Sequence, residues 1–307
     1  MKTLGIILAA GRSSRLYPAT LATTKQLLPI YDKPLIYFPL TTLMLAGIRD
    51  ILVITNPWEK QIFENLLDND DLGVDIQFAT QEKPRGLPEA FTIAEKHYGE
   101  DIQKFDQVAL ILGDNIYYGA GLTDMLISSR MKDDMASVFL QKVTDPSRFG
   151  VAEFDKQSKK VVGMEEKPLQ PKSDYAITGL YFFPGYSGSK TKETLNVFEI
   201  AERLKPSARG ELEILDMVRP FMDAGILNGN IMFRGMSWFD TGTANSLLEA
   251  ANFIKAIQDH QGFQVGSPHE VAYNYEWIDK AVIHRYLSNW GEKTAYGRYL
   301  LNMMKEE

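Results

Sequence analysis

Two aspartates stand where short apolar runs end: Asp114 in Val108-Ala-Leu-Ile-Leu-Gly-Asp-Asn115 and Asp240 in Trp238-Phe-Asp-Thr-Gly242. A strand that empties into a carboxylate sets it on the rim where α/β sheets collect ligands. Two such carboxylates on one rim suit Mg²⁺, which takes one or two carboxylates together with water and substrate phosphate. Gly-Asp-Asn and Asp-Thr-Gly are also favoured turn residues, so either one alone reads equally well as a plain turn. Cations supply a second element. Arg15 lies in Ala10-Gly-Arg-Ser-Ser-Arg-Leu16, directly after the apolar run Leu4 to Ala9; Lys25 lies in Thr24-Lys-Gln26; Lys167 closes Glu165-Glu-Lys-Pro168. An arginine fork grips phosphate through two bonds, and an ammonium acts as a point charge. Singly these are ordinary surface side chains. Beside the two aspartates they describe a site for a phosphorylated ligand, with Arg15 as the gripping arginine and Arg12 as its solvated neighbour. Gln81, in Ala79-Thr-Gln-Glu82, ends a further strand. Its amide offers a donor and an acceptor to a pyrimidine edge, although an exposed loop glutamine is the commoner case.

The elements that must hold these residues follow from periodicity. Strand-like runs at 4–9, 51–55, 74–79 and 108–112 alternate with helical patterns at 35–46, 58–67 and 87–97, the rhythm of stacked βα units and a mainly parallel sheet. Pro34 and Gly47 punctuate the first helix, and Pro39 inside it is expected to kink it. Beyond about residue 135 the runs crowd together at 136–143, 149–154, 160–165 and 177–183, as an antiparallel extension requires. A polar loop at 185–192, helices at 194–204 and 212–224 and a strand at 229–235 come next, and the chain from 246 onward reads as helical. The expected fold is α/β: a Rossmann-like three-layer sandwich with a mixed, mainly parallel central sheet, a small antiparallel extension and a helical C-terminal tail. A core over 1–245 changes rhythm near residue 135, and 246–307 forms the helical segment.

Composition narrows the chemistry. A chain of 307 residues with a formal charge of −7 lacks the basic bias of a nucleic-acid binder, so an anionic ligand must be met by a local cluster or a metal. With no cysteine there is no thiolate chemistry and no disulfide, which suits the cytoplasm. No segment reads as a membrane span or signal peptide. The glycines around Gly5 and Gly11 miss P-loop spacing, Asp124 stands where a dinucleotide fingerprint starting at Gly119 needs a glycine, and the four histidines show no metal-ligand spacing.

The ordered set of a glycine-containing loop ending in Arg15-Leu16, Lys25-Gln-Leu-Leu-Pro29, Asp32-Lys-Pro-Leu-Ile-Tyr37, Leu112-Gly-Asp-Asn115, Glu165-Glu-Lys-Pro168, Arg209-Gly-Glu-Leu-Glu213 and Trp238-Phe-Asp-Thr-Gly-Thr243 resembles the glucose-1-phosphate thymidylyltransferase family of sugar-phosphate nucleotidyltransferases. The resemblance runs from about residue 3 to near residue 300. It implies a Mg²⁺-dependent reaction of dTTP with α-D-glucose 1-phosphate, giving dTDP-glucose and pyrophosphate at the head of a deoxysugar pathway such as that to dTDP-rhamnose. It further implies that Gly11, Arg15, Lys25, Gln26, Gln81, Gly86 and Asp114 bind the nucleotide. Asn115, Gly150, Glu166, Lys167, Ile177, Tyr181 and Arg209 would bind the sugar phosphate, Asp114 and Asp240 the metal, and Arg15, Lys25 and Lys167 would act in catalysis. The family is usually a cytoplasmic homotetramer, often inhibited by its pathway's end product. This chain departs from the family pattern in three places. Ala10 and Ser13 replace two loop glycines, with a steric cost if Ser13 takes positive φ. Phe149 stands where an aromatic hydroxyl is common, and 185–192 reads as an insertion. A uridylyltransferase acting on the same sugar phosphate is the near alternative, since one methyl group distinguishes the bases. A nucleotide-binding regulatory subunit without turnover is the distant one.

Overall fold

The apolar run that opens the chain is buried along its whole length, as a strand covered on both faces must be. The computed structural model describes every residue except 12, 68–70, 156, 159, 188–194 and 306–307. Its strands are β1 (Thr3–Leu8), β2 (Pro29–Ile30), β3 (Lys33–Pro34), β4 (Asp50–Thr55), β5 (Asp75–Thr80), β6 (Gln107–Leu112), β7 (Asn115–Tyr118), β8 (Ala136–Lys142), β9 (Gly150–Asp155), β10 (Lys160–Glu166), β11 (Tyr175–Pro184), β12 (Leu227–Ile231) and β13 (Ser237–Asp240). Its helices are α1 (Tyr37–Leu45), α2 (Lys60–Leu67), α3 (Glu89–Tyr98), α4 (Leu122–Arg130), α5 (Val197–Arg203), α6 (Ile214–Asp223), α7 (Ala244–Gln261), α8 (Pro268–Asn274), α9 (Lys280–Trp290) and α10 (Ala295–Met303).

One sheet carries the fold. β6, β1, β4 and β5 lie side by side and parallel. β11 runs antiparallel to β6 and leads on to β8, β9 and β10, while β12 joins β8 in parallel. The antiparallel part is therefore a continuation of the same sheet. Along one edge of β11, Leu180 to Pro184 pair with β6 and Ala176 pairs with β9, so the sheet forks where β6 ends. Helices cover both faces. Ile7, Leu43, Ile111 and Phe182 meet the tail residues Tyr273, Ile283 and Leu300 on one side, and Ile6, Phe91, Leu110, Phe198 and Phe221 pack on the other. Full burial of each such side chain is worth about 1.5–3 kcal/mol.

Several elements differ from expectation. Pro39 is the third residue of α1, within the first turn, where a backbone N–H has no helical acceptor to lose. It fits the start of the helix and does not interrupt its ladder. The strand expected at 229–235 begins earlier, at Leu227, because β8 provides its register. α4 has no counterpart in the pattern reading. β7 and β13 pair only with each other, with Asp240 opposite Asn115. Among the described residues no helix is long and apolar enough to cross a membrane.

Candidate functional site

Leu8 of β1 lies opposite Leu112 of β6, so the loop after β1 and the Gly113-Asp114 turn after β6 share the carboxyl rim of the sheet. Gly113 makes this possible. Its N–H donates to the Leu8 carbonyl at 2.9 Å, and a Cβ at this position would sit 3.0 Å from that oxygen. Lys25, 6% exposed, pairs through Nζ with the Asp114 carboxylate. Asn115 Nδ2 donates to Asp114 Oδ1 at 2.8 Å. Asn115 Oδ1 in turn accepts from Trp238 Nε1 at 2.6 Å and from the Gly179 N–H at 3.2 Å. The Thr241 hydroxyl and N–H both donate to the Asp114 carbonyl. Asp240 ends β13, as the strand-like run before it suggested, and reaches the site on the β7–β13 ribbon.

The two aspartates face each other electrostatically. Burial, and then the charge of Asp114, raise the Asp240 carboxyl above the usual range, while Lys25, Arg15 and Arg148 pull it back. Two hard oxygen donors that repel each other in a half-buried site fit a divalent cation, which would relieve the repulsion. Among the described residues no group of three or more histidine, aspartate and glutamate side chains could hold a metal. A cation at this pair would have the two aspartates as its only carboxylate ligands among the described residues.

Two adjoining hollows open here. The first, of about 390 Å³, is lined by Gly11, Arg15, Lys25, Gln26, Gln81, Gly86 and Asp114. The second, of about 370 Å³, is lined by Asn115, Gly150, Glu166, Lys167, Ile177, Tyr181, Arg209 and Asp240. They share Arg15, Gly86, Leu87, Leu112, Asp114 and Glu211. The residues expected to bind nucleotide thus gather in one hollow, those expected to bind sugar phosphate in the other, and Asp114 stands at the join.

Local conformation explains how each hollow is held open. Ser13 has φ of +51°, so the left-handed backbone that glycine adopts freely is imposed on a serine. Its carbonyl accepts from the Leu16 N–H at 3.0 Å and the Thr20 hydroxyl at 2.9 Å, which fixes the loop. Arg12 lies outside the described residues. Gly242 lets Arg15 lie close: a Cβ there would be 3.2 Å from Nη2. Gln81 Nε2 donates to Glu89 Oε2 at 2.8 Å, which orients its amide. Gly86, at φ +114°, bridges to Leu212, whose backbone any side chain there would strike.

The second hollow fills the fork beyond β6. A Cβ at Gly179 would be 2.6 Å from Asn115 Oδ1, so glycine is what admits the asparagine. Lys167 has φ of +46°, its N–H donates to the Phe149 carbonyl at 3.0 Å, and its Nζ is 3.4 Å from Glu166. Arg209 Nη2 lies 2.7 Å from Glu213 and 3.4 Å from Glu166. Phe149 packs edge-on against Trp238 at 5.1 Å and carries the Arg148 guanidinium at 5.4 Å, so its ring has a packing role without a hydroxyl. In the 185–192 segment, Tyr186 is stacked on Phe198 and bonded to Glu95, which departs from a wholly exposed loop; 188–192 lie outside the described residues.

The pattern reading missed Arg148, Gly179, Glu211 and Trp238, all of which line the second hollow. Arg148 sits two residues before β9, a position from which it could have been picked out. Gly179 and Trp238 matter only through partners more than sixty residues away.

A mainly parallel sheet with two adjoining hollows that meet at Asp114 on its rim, Asp240 beside it, is an arrangement suited to a transferase that brings two ligands together. The chain belongs to the nucleotidyl transferase family, which it matches over residues 4–257. The glucose-1-phosphate thymidylyltransferase of Xanthomonas campestris pv. campestris (strain B100) is 49% identical over 98% of this chain and 97% of that protein. The Neisseria gonorrhoeae protein of the same name is 47% identical over 98% of this chain and 99% of its own length. A solved Bacillus anthracis chain in complex with sucrose matches with a TM-score of 0.70 at 36% identity, covering 82% of this chain and 94% of that one. The family read from the ordered motifs is the family matched.

Proposed function

We propose that this chain transfers the thymidylyl group of dTTP to α-D-glucose 1-phosphate, yielding dTDP-glucose and pyrophosphate. The observation that carries the reading is the division of the rim into two hollows that meet at Asp114.

A sugar phosphate has a second pKa of about 6, so its oxygen is already an anionic nucleophile at neutral pH and needs no general base. The task is to bring two polyanions together and hold the attacking oxygen in line with the α-phosphorus. Lys167 and Arg209 hold the sugar phosphate, while Glu166 and Asn115 meet the sugar hydroxyls. Arg15 and Lys25 hold the triphosphate and take up charge on the departing pyrophosphate. Gln81 faces the base. Among the described residues of the two hollows five cationic side chains, Arg15, Lys25, Arg148, Lys167 and Arg209, face five carboxylates, Asp114, Asp240, Glu166, Glu211 and Glu213. A site so balanced lacks the positive excess that two polyanions require. Asp114 and Asp240 would hold Mg²⁺, which would supply that excess and polarise the phosphate oxygens.

Pyrophosphate release from dTTP and glucose 1-phosphate, with and without Mg²⁺, tests the reading. Folded Asp114→Asn and Lys167→Ala proteins should each lose turnover by about 10² or more. Near-normal release by both would sink the assignment, and absence of release by the wild-type protein would leave a nucleotide-binding subunit. Competing dTTP against UTP in one reaction distinguishes thymidylyl from uridylyl transfer. The same reading expects a cytoplasmic homotetramer, which light scattering would register as four chains of 34.7 kDa.

A further inference from the structure

We propose that Trp238 is a positioning residue: its indole N–H fixes the Asn115 carboxamide and, through it, the Asp114 carboxylate, so that one strand, β13, sets both members of the aspartate pair. The inference deepens the function proposed above and rests on it. Asn115 opens β7 opposite Asp240 and is 1% exposed. Its Oδ1 accepts from Trp238 Nε1 at 2.6 Å and from the Gly179 N–H at 3.2 Å. An indole N–H and a peptide N–H can only donate. The amide oxygen must therefore face them, and the amide nitrogen must face away.

On that far side Nδ2 donates to Asp114 Oδ1 at 2.8 Å, while Asp114 Oδ2 pairs with Lys25. Lys25 lines the first hollow and Asn115 the second, so each carboxylate oxygen is held from a different side of the join. The charge of Asp114 polarises the amide bonded to it and strengthens the bond that Asn115 Oδ1 takes from the indole. β13 reaches Asp114 by a second route. Thr241, directly after the strand, donates to the Asp114 carbonyl through its hydroxyl at 2.8 Å and its N–H at 3.2 Å. Asp240 itself stands two residues after Trp238 on the same strand. The edge-on contact of Trp238 with Phe149, at 5.1 Å, asks only for an aromatic ring; the N–H is what sets tryptophan apart from phenylalanine there.

The test is a double-mutant cycle on kcat for pyrophosphate release, with wild type, Trp238→Phe, Asn115→Ala and the double variant. Trp238→Phe keeps a ring against Phe149 and should lower kcat about tenfold, the loss of one orienting hydrogen bond, with the dTTP KM within about twofold of wild type. In the Asn115→Ala background the same change should lower kcat by less than about twofold, because the group it acts through is gone. The Trp238 indole proton of isotope-labelled, metal-free protein, identified by its loss in Trp238→Phe, gives a readout that needs no turnover. It should move upfield in Asn115→Ala, which removes its acceptor, and by less in Asp114→Asn, which removes the charge behind that acceptor. The proposal is overturned by wild-type kcat in Trp238→Phe, by an equal loss from Trp238→Phe in both backgrounds, or by an indole proton that either Asn115→Ala or Asp114→Asn leaves in place. Should Trp238→Phe fail to fold, the benzothiophene isostere of tryptophan at position 238, which exchanges only the N–H for sulfur, takes its place in the cycle. Wild-type protein that releases no pyrophosphate overturns the proposed function instead, and the indole proton then decides the positioning on its own.

Discussion

The two hollows hold their cations differently. In the nucleotide hollow Lys25 is buried and locked to Asp114, on turns anchored by the parallel half of the sheet. In the sugar-phosphate hollow the side chains of Lys167 and Arg209 are 51% and 47% exposed and rest against Glu166 and Glu213. Exposed ion pairs contribute about 0–1 kcal/mol, so Lys167 and Arg209 exchange a carboxylate for a phosphate at little cost. A buried pair is costly to break from one side. Lys25 is thus fixed before any ligand binds, whereas Lys167 and Arg209 are free to exchange partners.

Lys25→Ala tests this contrast most severely. It leaves Asp114 and Asp240 facing each other without their nearest cation, and turnover should fall by about 10³, with a lower melting temperature. Gly179→Ala should come next: its Cβ collides with Asn115 Oδ1, and kcat/KM for glucose 1-phosphate should fall by about 10² while dTTP affinity holds. Arg209→Ala should raise the glucose 1-phosphate KM about tenfold and leave thermal stability intact, since its ion pairs are exposed. An equal loss of stability in Arg209→Ala and Lys25→Ala would break the contrast. The smallest effect is on stability in Asp240→Asn. Removing one of two mutually repelling carboxylates should raise the melting temperature by about 2 °C in metal-free protein, while turnover is lost. A lowered melting temperature would mean that Asp240 stabilises the fold.

Much of this arrangement was legible in the chain. The runs that became β1, β4 and β6 are nearly continuous apolar stretches, β5 mixes apolar and polar residues, and their carboxyl ends led directly to Arg15, Gln81 and Asp114. Lys167 and Asp240 were likewise marked by strand ends. The β7–β13 ribbon was not, because four residues at 115–118 acquire strand character only from a partner at 237–240. α4 starts after Gly119 and Gly121, both at positive φ, and those glycines hide its beginning. Ser13 is a different case, since its departure from glycine was plain in the sequence and its φ of +51° shows the backbone demand to be unchanged.

The fork at β11 also works as a ruler. β6 stays paired with β11 up to Leu180, and Ala176 already belongs to β9, so the interval between the carboxylate pair and Lys167 is counted in strand residues. Each residue is worth about 3.3 Å, and a shift of one turns every side chain to the other face. The smallest permitted change is therefore two residues, roughly 7 Å, too coarse to adjust for one sugar over another. Variation in the accepted sugar must arise from the walls of the second hollow, with the distance between the reacting phosphates set by the sheet.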